Sequence, residues 1–254
     1  MTIKTFGLVG FPLHHSFSKK YFTEKFQKEK LENHQYKNFE IENINSIQDI
    51  IKTEPSLVGF NCTIPYKEKI IPYLTDLDNV SSAIKAVNTV KVINYNGKII
   101  LKGYNTDAYG FENSLKPLFK KQPSKALILG TGGASKAVSY VLEKLSIQYL
   151  FVSRSKDKPN TIAYDEVTDD LIKSHTLIIN TSPVGMFPNI NEAPPISYNA
   201  IAEEHILYDL IYNPETTMFL NHGLTHGAVI KNGLEMLHLQ AEKAWEIWNN
   251  DTYN

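Results

Sequence analysis

The 254-residue sequence predicts an α/β protein of two domains, and three observations support that fold class. The chain is long enough for two domains of ordinary size. After Pro123, short apolar runs alternate with helical patterns, which is typical of a parallel sheet buried on both faces. Residues 125–137 (KALILGTGGASKA) contain an apolar strand that ends in a glycine turn and then enters a helix. We therefore expect the second domain to be a Rossmann-type dinucleotide-binding domain.

The first part of the chain predicts a mixed α/β domain. Tyr21, Phe22 and Phe26 recur at helical spacing, which predicts an amphipathic helix. Asn96-Gly97 lies between two apolar runs and strongly predicts a β-hairpin. The predicted strands are residues 4–10, 36–41, 57–62, 89–94 and 98–102, and the predicted helices are residues 18–28, 46–53 and 107–119, with short pieces at 68–74 and 80–85.

The second part of the chain predicts strands 125–130, 147–152, 176–180, 205–210 and 228–230 and helices 134–145, 214–224 and 234–249. No low-complexity linker separates the two parts, so we place the boundary at helix 107–119 and expect hinged domains over a cleft. We assign residues 1–106 and 234–254 to the first domain and residues 107–233 to the second. The last helix is then expected to return to the first domain and to pack Trp245 and Trp248 against it.

Composition and charge exclude several classes of function. The net charge of −1 gives no overall attraction for nucleic acid or an anionic membrane. The single cysteine, Cys62, excludes an intrachain disulfide and fits a reducing compartment. The N-terminus lacks the apolar core of a signal peptide, and no apolar run approaches the ~20 residues that span a bilayer. We expect a soluble, cytoplasmic protein that binds neither nucleic acid nor membrane.

The glycine turn and the residues after the next strand predict a dinucleotide phosphate site. Gly130, Gly132 and Gly133 give backbone freedom and let a phosphate approach the helix N-terminus. Ser135 stands where a third glycine is common, and we expect its hydroxyl to be offered to a phosphate. Arg154 follows the second strand, where an NAD-selective site usually has an acidic residue, so it favours the 2′-phosphate of NADP. An ordinary basic loop tip is the other interpretation of Arg154.

Polar residues also gather at strand and loop ends of the first domain. Ser16 and Ser18 bracket Phe17, and Asn61, Thr63 and Lys67 follow the third predicted strand, with Asn88 and Asp107 further along the chain. Each alone is typical of a turn, a helix cap or a solvated surface. Together they predict a site for a small polar molecule.

These segments resemble the shikimate dehydrogenase family over about residues 6–248. The matching motifs, in the family's order, are GFPLHHSFS at 10–18, GFNCTIPYK at 59–67, AVNT at 86–89, GYNTD at 103–107, GTGGAS at 130–135, NTSPVGM at 180–186, YDLIYNP at 208–214 and GLEMLHLQA at 233–241. The family has an N-terminal substrate domain and a Rossmann-type NADP domain, and it reduces 3-dehydroshikimate to shikimate with NADPH.

The resemblance implies a role for each matching residue. Lys67 is then the acid/base group, and Asp107 orients it or shares its proton. The substrate's carboxylate and hydroxyls are implied to contact Ser16, Ser18, Asn61, Thr63, Asn88, Tyr212 and Gln240. NADP(H) is implied to contact Gly130, Gly132, Gly133, Ala134, Ser135, Ser153, Arg154, Ser155, Thr181, Ser182, Leu210 and Gly233. A monomer and a homodimer are both compatible with the sequence.

The chain departs from the family pattern at a few positions. Lys19 replaces a usual proline, Cys62 a valine, and Ser153 and Ser155 the asparagine and threonine on either side of Arg154. The stretch 156–174 is short, so we predict that its crossover helix is missing or reduced to a turn.

Rival functions fit the sequence less well. An NAD-preferring shikimate/quinate dehydrogenase is disfavoured by Arg154 and the paired serines, and a non-catalytic relative by the presence of Lys67 and Asp107. A methyltransferase would need an acidic residue after the second strand. We predict no metal site, because His14 and His15 have no third ligand at suitable spacing and His222 and His226 lack the glutamate of an H-E-x-x-H motif.

Overall fold

The computed structural model describes residues 2–13, 17–156 and 159–250. The chain forms two compact units, one comprising Met1–Thr106 with Ala241–Asn254 and the other Asp107–Gln240. The last helix is therefore divided between the units at Ala241, whereas the sequence pattern predicts that the whole helix from Leu234 belongs to the first domain. Within the described ranges, no helix is both long and apolar enough to cross a membrane.

The first unit is built around a mixed six-stranded sheet, and its elements follow the predicted order. They are β1 (Lys4–Gly10), α1 (Phe17–Lys28), β2 (His34–Glu40), α2 (Ile47–Thr53), β3 (Leu57–Cys62), β4 (Asp76–Leu77), α3 (Asn79–Ile84), β5 (Thr89–Tyr95) and β6 (Lys98–Tyr104). The strand order is β2-β1-β3-β5-β6-β4. β1 runs parallel to β2 and β3, whereas β5 is antiparallel to both β3 and β6.

The predicted hairpin joins β5 and β6. Asn96 and Gly97 both have positive φ, at 51° and 78°, as a two-residue hairpin turn of this kind requires. Gly97 reaches that conformation without steric cost, and asparagine tolerates it better than most residues.

Aromatic side chains cover one face of this sheet. The ring centroid of Trp248, from the C-terminal helix, lies 5.1 Å from that of Phe6 and 5.3 Å from that of Phe22. Its Nε1 donates to the Val90 carbonyl at 3.0 Å. A Cβ at Gly59 would lie 2.3 Å from the Trp248 ring, so β3 needs glycine where the indole crosses it. The expected packing of Trp245 and Trp248 against the first domain is present, since both pack with Phe6.

The second unit is a parallel sheet with the predicted strand–helix alternation. Its elements, after the first unit's strands, are α4 (Thr106–Leu115), β7 (Lys125–Leu129), α5 (Gly133–Lys144), β8 (Gln148–Val152), β9 (Thr161–Ile162), α6 (Asp169–Ser174), β10 (Leu177–Asn180), β11 (Ile206–Asp209), α7 (Met218–Thr225), β12 (Val229–Lys231) and α8 (Leu234–Asn249), the last shared between the units. The strand order is β12-β11-β10-β7-β8-β9, and every pair is parallel. This is the Rossmann order, with its switch point between β7 and β10. The predicted fold class is confirmed.

The crossovers beyond β8 are short, as the sequence predicts. Among the residues described between β8 and β9, none is helical. The next crossover contains a 3₁₀ turn at Tyr164–Glu166 and the six-residue helix α6, whose Thr168 N-cap accepts from the Leu171 amide at 3.2 Å. β9 is a two-residue strand that the sequence pattern did not reveal.

Candidate active site

A buried hydrogen-bond network lies at the ends of β3 and β5 in the first unit. Asn61 Nδ2 donates to the Asn88 carbonyl at 3.2 Å and to Thr89 Oγ1 at 3.1 Å. Asn88 Nδ2 donates to Thr106 Oγ1 at 2.9 Å, and Asn88 Oδ1 accepts from the Thr106 amide at 2.7 Å. The structure thus brings the predicted residues Asn61 and Asn88 together and fixes the orientation of both amides.

Tyr36 extends this network toward α1. Its hydroxyl donates to Asn61 Oδ1 at 2.8 Å, and the Ser18 side chain also hydrogen-bonds to the phenol. Ser18 and Asn61 are predicted site residues, whereas Tyr36 was not singled out from the sequence. A tyrosine in a strand carries no local sequence signal for such a contact. Ser16, the other predicted serine, lies outside the described residues.

The turn after β3 is hydrogen-bonded at its first end to β1 and at its second end to the segment just before β5. The Thr63 amide donates to the Val9 carbonyl at 2.9 Å, and the Thr63 carbonyl accepts from the Tyr66 amide at 2.8 Å. The Lys67 carbonyl accepts from the Val87 amide at 2.7 Å, and the Lys67 side chain is half-buried. These contacts give Lys67 a fixed backbone position on a rigid scaffold.

Cys62 stands next to this turn but is fully enclosed. Burial raises the pKa of its thiol to about 12, although the nearby Lys67 charge acts in the opposite direction. The thiol therefore stays protonated at neutral pH, as expected for a residue that packs in place of valine.

Asp107 belongs to the second unit and Lys67 to the first. Asp107 lies in the first turn of α4 and is half-buried, a position where a carboxylate is favoured by the helix dipole. Two further predicted substrate residues, Tyr212 and Gln240, also belong to the second unit. Tyr212 is 41% exposed, whereas Gln240 is buried at 8% and donates from Nε2 to the Leu237 carbonyl at 2.9 Å.

The glycine turn leaves backbone accessible at the N-terminus of α5. A Cβ at Gly132 or Gly133 would meet no protein atom within 4 Å, so packing within this chain does not require glycine there. The close approach of a phosphate to the first amides of α5 would require it, and Ala134 lies in the same turn. Gly130 is different, because its φ of +107° is one that side-chain-bearing residues rarely adopt.

Ser135, a predicted cofactor residue, is held within the glycine turn. It is fully buried, and its Oγ donates to the Gly132 carbonyl at 2.7 Å. This hydrogen bond closes the turn, and the phosphate contact of Ser135 stays a prediction.

Two cations, Arg154 and Lys156, follow β8 among the described residues. Lys156 pairs with Glu166 at 2.6 Å, whereas Arg154 forms no ion pair within the described part of the chain. The Arg154 charge lies close enough to Tyr164 to oppose the burial that raises the pKa of that phenol. Ser153 Oγ lies 3.4 Å from Thr131 Oγ1 and accepts from the Ser155 amide at 3.4 Å, which ties this loop to the glycine turn.

The ends of β10 and β11 meet at a buried carboxylate. Asp209 Oδ2 accepts from Thr217 Oγ1 at 2.6 Å, and Oδ1 accepts from Asn180 Nδ2 at 3.1 Å and from the Ile211 amide at 3.0 Å. Burial raises the pKa of Asp209 to about 6, although these hydrogen bonds act to lower it. Asp209 was quoted in a sequence motif but not predicted as a site residue.

The predicted cofactor residues Thr181 and Ser182 directly follow Asn180, which is a hydrogen-bond partner of Asp209. Asn180 Oδ1 accepts from Ser182 Oγ at 2.7 Å, and Thr181 Oγ1 donates to the Leu129 carbonyl at 3.0 Å. A Cβ at Gly233 would lie 2.0 Å from the Leu210 carbonyl oxygen, so the two predicted residues Leu210 and Gly233 meet backbone to backbone.

Metal chemistry has no support from the residues that the structure describes. In those ranges, no group of three His, Cys, Asp or Glu side chains could hold a metal ion. His14 and His15 lie outside the described residues.

Several shikimate dehydrogenases resemble the chain over nearly its whole length. A family model described as the shikimate dehydrogenase substrate binding domain matches residues 8–90. The chain is 35% identical over 281 residues to a shikimate dehydrogenase (NADP(+)) of Caldanaerobacter subterraneus, covering 100% of this chain and 94% of the relative. Shikimate dehydrogenase 1 of Peptoclostridium difficile has a similar structure, with a TM-score of 0.81, 38% identity and coverage of 99% of this chain and 94% of that one.

A second similar structure was solved with ligands. It is the shikimate 5-dehydrogenase of Thermus thermophilus in complex with NADP(H) and shikimate, with a TM-score of 0.82, 27% identity and coverage of 97% of this chain and 94% of that one.

Proposed function

This chain belongs to the shikimate dehydrogenase family, and we propose that it catalyses the reversible, NADPH-dependent reduction of 3-dehydroshikimate to shikimate. The observation that carries the proposal is the full-length match to an NADP-dependent shikimate dehydrogenase. The Rossmann strand order and the polar network of the first unit support it independently.

The cofactor is proposed to lie at the carboxyl ends of the second unit's strands. When bound, NADPH supplies the hydride that reduces the ring carbonyl. Gly130, Gly132 and Gly133 would let its phosphates approach the amides of α5, and Arg154 would bind the 2′-phosphate. The absence of an acidic residue at positions 153–156 supports a preference for NADP over NAD. Further contacts to NADP(H) are proposed for Thr181, Ser182, Leu210 and Gly233. We also propose contacts from the backbone or side chains of Ala134, Ser153 and Ser155.

We propose that Lys67 is the acid/base group that exchanges a proton with the substrate oxygen. Its ammonium would protonate the alkoxide oxygen that forms during reduction, and its amine would take the proton back during oxidation. Asp107 is the proposed second catalytic group, which orients Lys67 or shares its proton. The pinned turn that carries Lys67 supports this role, because proton transfer needs a fixed donor position.

The substrate is proposed to bind to the polar side chains that the sequence motifs supply. In the first unit these are Ser16, Ser18, Asn61, Thr63 and Asn88, and in the second unit Tyr212 and Gln240. The Asn61–Thr89–Asn88–Thr106 network supports this proposal because its amides are held in one orientation before any ligand arrives.

We further propose that the enzyme works in the cytoplasm, where its one cysteine, Cys62, would stay reduced.

Size-exclusion chromatography with light scattering would decide between a monomer and a homodimer.

The function is tested by measuring the initial rates of shikimate and quinate oxidation, each with NADP⁺ and with NAD⁺, from the absorbance of the reduced nicotinamide. We expect the shikimate and NADP⁺ pair to give the highest kcat/KM. A higher value for quinate with NAD⁺ would replace the proposal with a quinate-type dehydrogenase. No turnover in any combination would favour a non-catalytic relative.

A further inference from the structure

We infer that Tyr36 is a positioning residue for substrate binding, because its phenol joins Ser18 on α1 to Asn61 on β3. Tyr36 lies on β2 and is only 6% exposed. Its hydroxyl donates to Asn61 Oδ1 at 2.8 Å and is hydrogen-bonded by the Ser18 side chain. The inference rests on the proposed function, in which Ser18 and Asn61 contact the substrate and Tyr36 does not.

The contacts of Asn61 define what Tyr36 contributes. Both hydrogens of Asn61 Nδ2 are used within the protein, one on the Asn88 carbonyl and one on Thr89 Oγ1. Oδ1 receives the Tyr36 hydroxyl, so the amide is held from both ends. The Asn61 side chain can then form one more hydrogen bond, in which the second lone pair of Oδ1 accepts from a donor such as a substrate hydroxyl.

The Tyr36 ring is fixed independently of its hydroxyl. It stacks on Phe22 with the ring centroids 4.9 Å apart and an angle of 10° between the planes, and it packs 6.5 Å from the Trp248 ring. Burial raises the pKa of the phenol well above its usual range, although the Ser18 hydrogen bond acts to lower it. The phenol therefore keeps its proton and donates to Asn61 throughout the working pH range.

The inference predicts a specific loss when only the hydroxyl is removed. Tyr36→Phe keeps the ring and its stack on Phe22 but removes one hydrogen-bond partner from both Ser18 and Asn61. We expect the KM for shikimate to rise about fivefold to tenfold, the range that follows from the net worth of a buried hydrogen bond. The kcat and the KM for NADP⁺ should each change by less than about twofold.

Tyr208→Phe is the matched control. The Tyr208 phenol is also buried, and it lies 2.7 Å from Ser114 Oγ in the second unit, with no predicted substrate group among its partners. Tyr36→Phe loses two buried phenol hydrogen bonds and Tyr208→Phe loses one, so both are expected to lower the melting temperature. Only Tyr36→Phe should raise the KM for shikimate.

The same substitution in an Asn61→Ala background tests whether Tyr36 acts through Asn61. There, Tyr36→Phe should raise the KM for shikimate by a smaller factor than in the wild-type background, because Asn61, one of the two groups that it positions, is gone. An unchanged KM in the single variant, or an equal rise in both backgrounds, would overturn the inference and leave Tyr36 a purely structural role. A wild-type protein that neither binds nor oxidises shikimate would refute the proposed function itself, and the inference with it.

Discussion

Arg154 is the side chain on which the proposed cofactor preference depends. It follows β8 without an ion-pair partner in the part of the chain that the structure describes, whereas Lys156, two residues on, is paired with Glu166. Arg154→Ala should raise the KM for NADP⁺ at least about tenfold, since a charge-assisted contact to a phosphate is lost. The KM for shikimate should stay within about twofold of the wild-type value.

Lys156→Ala is the charge-matched control for Arg154→Ala. It removes the same formal charge from the same loop, but the removed ammonium is held by Glu166 at 2.6 Å. Its KM for NADP⁺ should stay near the wild-type value. Equal effects of both substitutions would mean that the loop acts through its general charge and not through a guanidinium contact.

Asp209 predicts a pH dependence of stability. Its pKa is raised to about 6 in the folded state, against about 3.9 in an unfolded chain. The folded state therefore binds more protons between these values, so the free energy of unfolding falls as the pH rises through that window. Relative to Asp209→Asn, the wild-type protein should lose about 3 kcal/mol between about pH 4 and pH 7.

Urea denaturation of both proteins across this pH range checks the expectation. The asparagine variant also changes the hydrogen bonds to Thr217 and Ile211, so its absolute stability will differ from that of the wild type. Only the change of that difference with pH reports on the carboxyl group. Parallel stability curves would show that Asp209 titrates as it does in an unfolded chain.

At the scale of elements, replacing either of two glycines with alanine should have opposite effects on stability and on cofactor binding. A Cβ at Gly132 meets no protein atom within 4 Å, whereas a Cβ at Gly59 would lie 2.3 Å from the Trp248 ring. Gly132→Ala should therefore leave the melting temperature nearly unchanged and raise the KM for NADP⁺ about tenfold, since the methyl group occupies the path of the phosphate.

Gly59→Ala should produce the reverse pattern. Overpacking β3 against Trp248 is expected to cost about 1–3 kcal/mol of stability, while the KM for NADP⁺ stays unchanged. Thermal melts and cofactor titrations of both variants make the comparison. A Gly132→Ala protein that is destabilised but binds NADP⁺ normally would show that the turn needs glycine for folding alone.

The sequence predicted most long elements because their patterns are strong. The non-alternating apolar runs located the parallel strands, Asn96-Gly97 located the hairpin, and the last helix was predicted with the observed bounds of Leu234–Asn249. The sequence pattern does not reveal the six-residue helix α6 or the strands β4 and β9, each two residues long. A strand of that length depends on a neighbouring edge and carries no periodicity of its own.

Two helix boundaries shifted for identifiable local reasons. The predicted helix 107–119 ends as an α-helix at Leu115 and continues as a 3₁₀ turn at Lys116–Leu118, where Pro117 cannot donate the hydrogen bond of a further α-turn. The predicted helix 214–224 begins only at Met218, after Thr217, whose hydroxyl accepts from the Leu220 amide at 3.3 Å. The same hydroxyl donates to Asp209, so a tertiary contact fixes this helix start.

The candidate site was predictable from the sequence only in its exposed or motif-bearing members. Lys67, Asn61, Asn88 and Arg154 stand at strand or loop ends, where polar residues attract notice. Tyr36 could not be found in this way, because its contact with Asn61 joins positions 25 residues apart in sequence. The spacing of Ser135 suggests a phosphate contact but does not reveal that its buried hydroxyl donates to the Gly132 carbonyl.

At the scale of the whole molecule, the proposal divides the work between the two units. The second unit carries the proposed cofactor residues, whereas Lys67 belongs to the first. Removing the Lys67 amine should therefore slow the chemical step without weakening cofactor binding. Lys69, two residues further along the same turn and exposed, provides a control of the same type and charge.

The decisive measurement is the kcat for shikimate oxidation with NADP⁺ in the wild-type protein, Lys67→Ala and Lys69→Ala, together with the Kd for NADPH from its fluorescence. We expect the wild-type protein and Lys69→Ala to turn over at similar rates, and Lys67→Ala to be slower by at least ~10²-fold, the usual worth of a general acid/base group. The Kd for NADPH should be the same in all three proteins. A Lys67→Ala protein that oxidises shikimate at nearly the wild-type rate would contradict the assignment of proton transfer to Lys67.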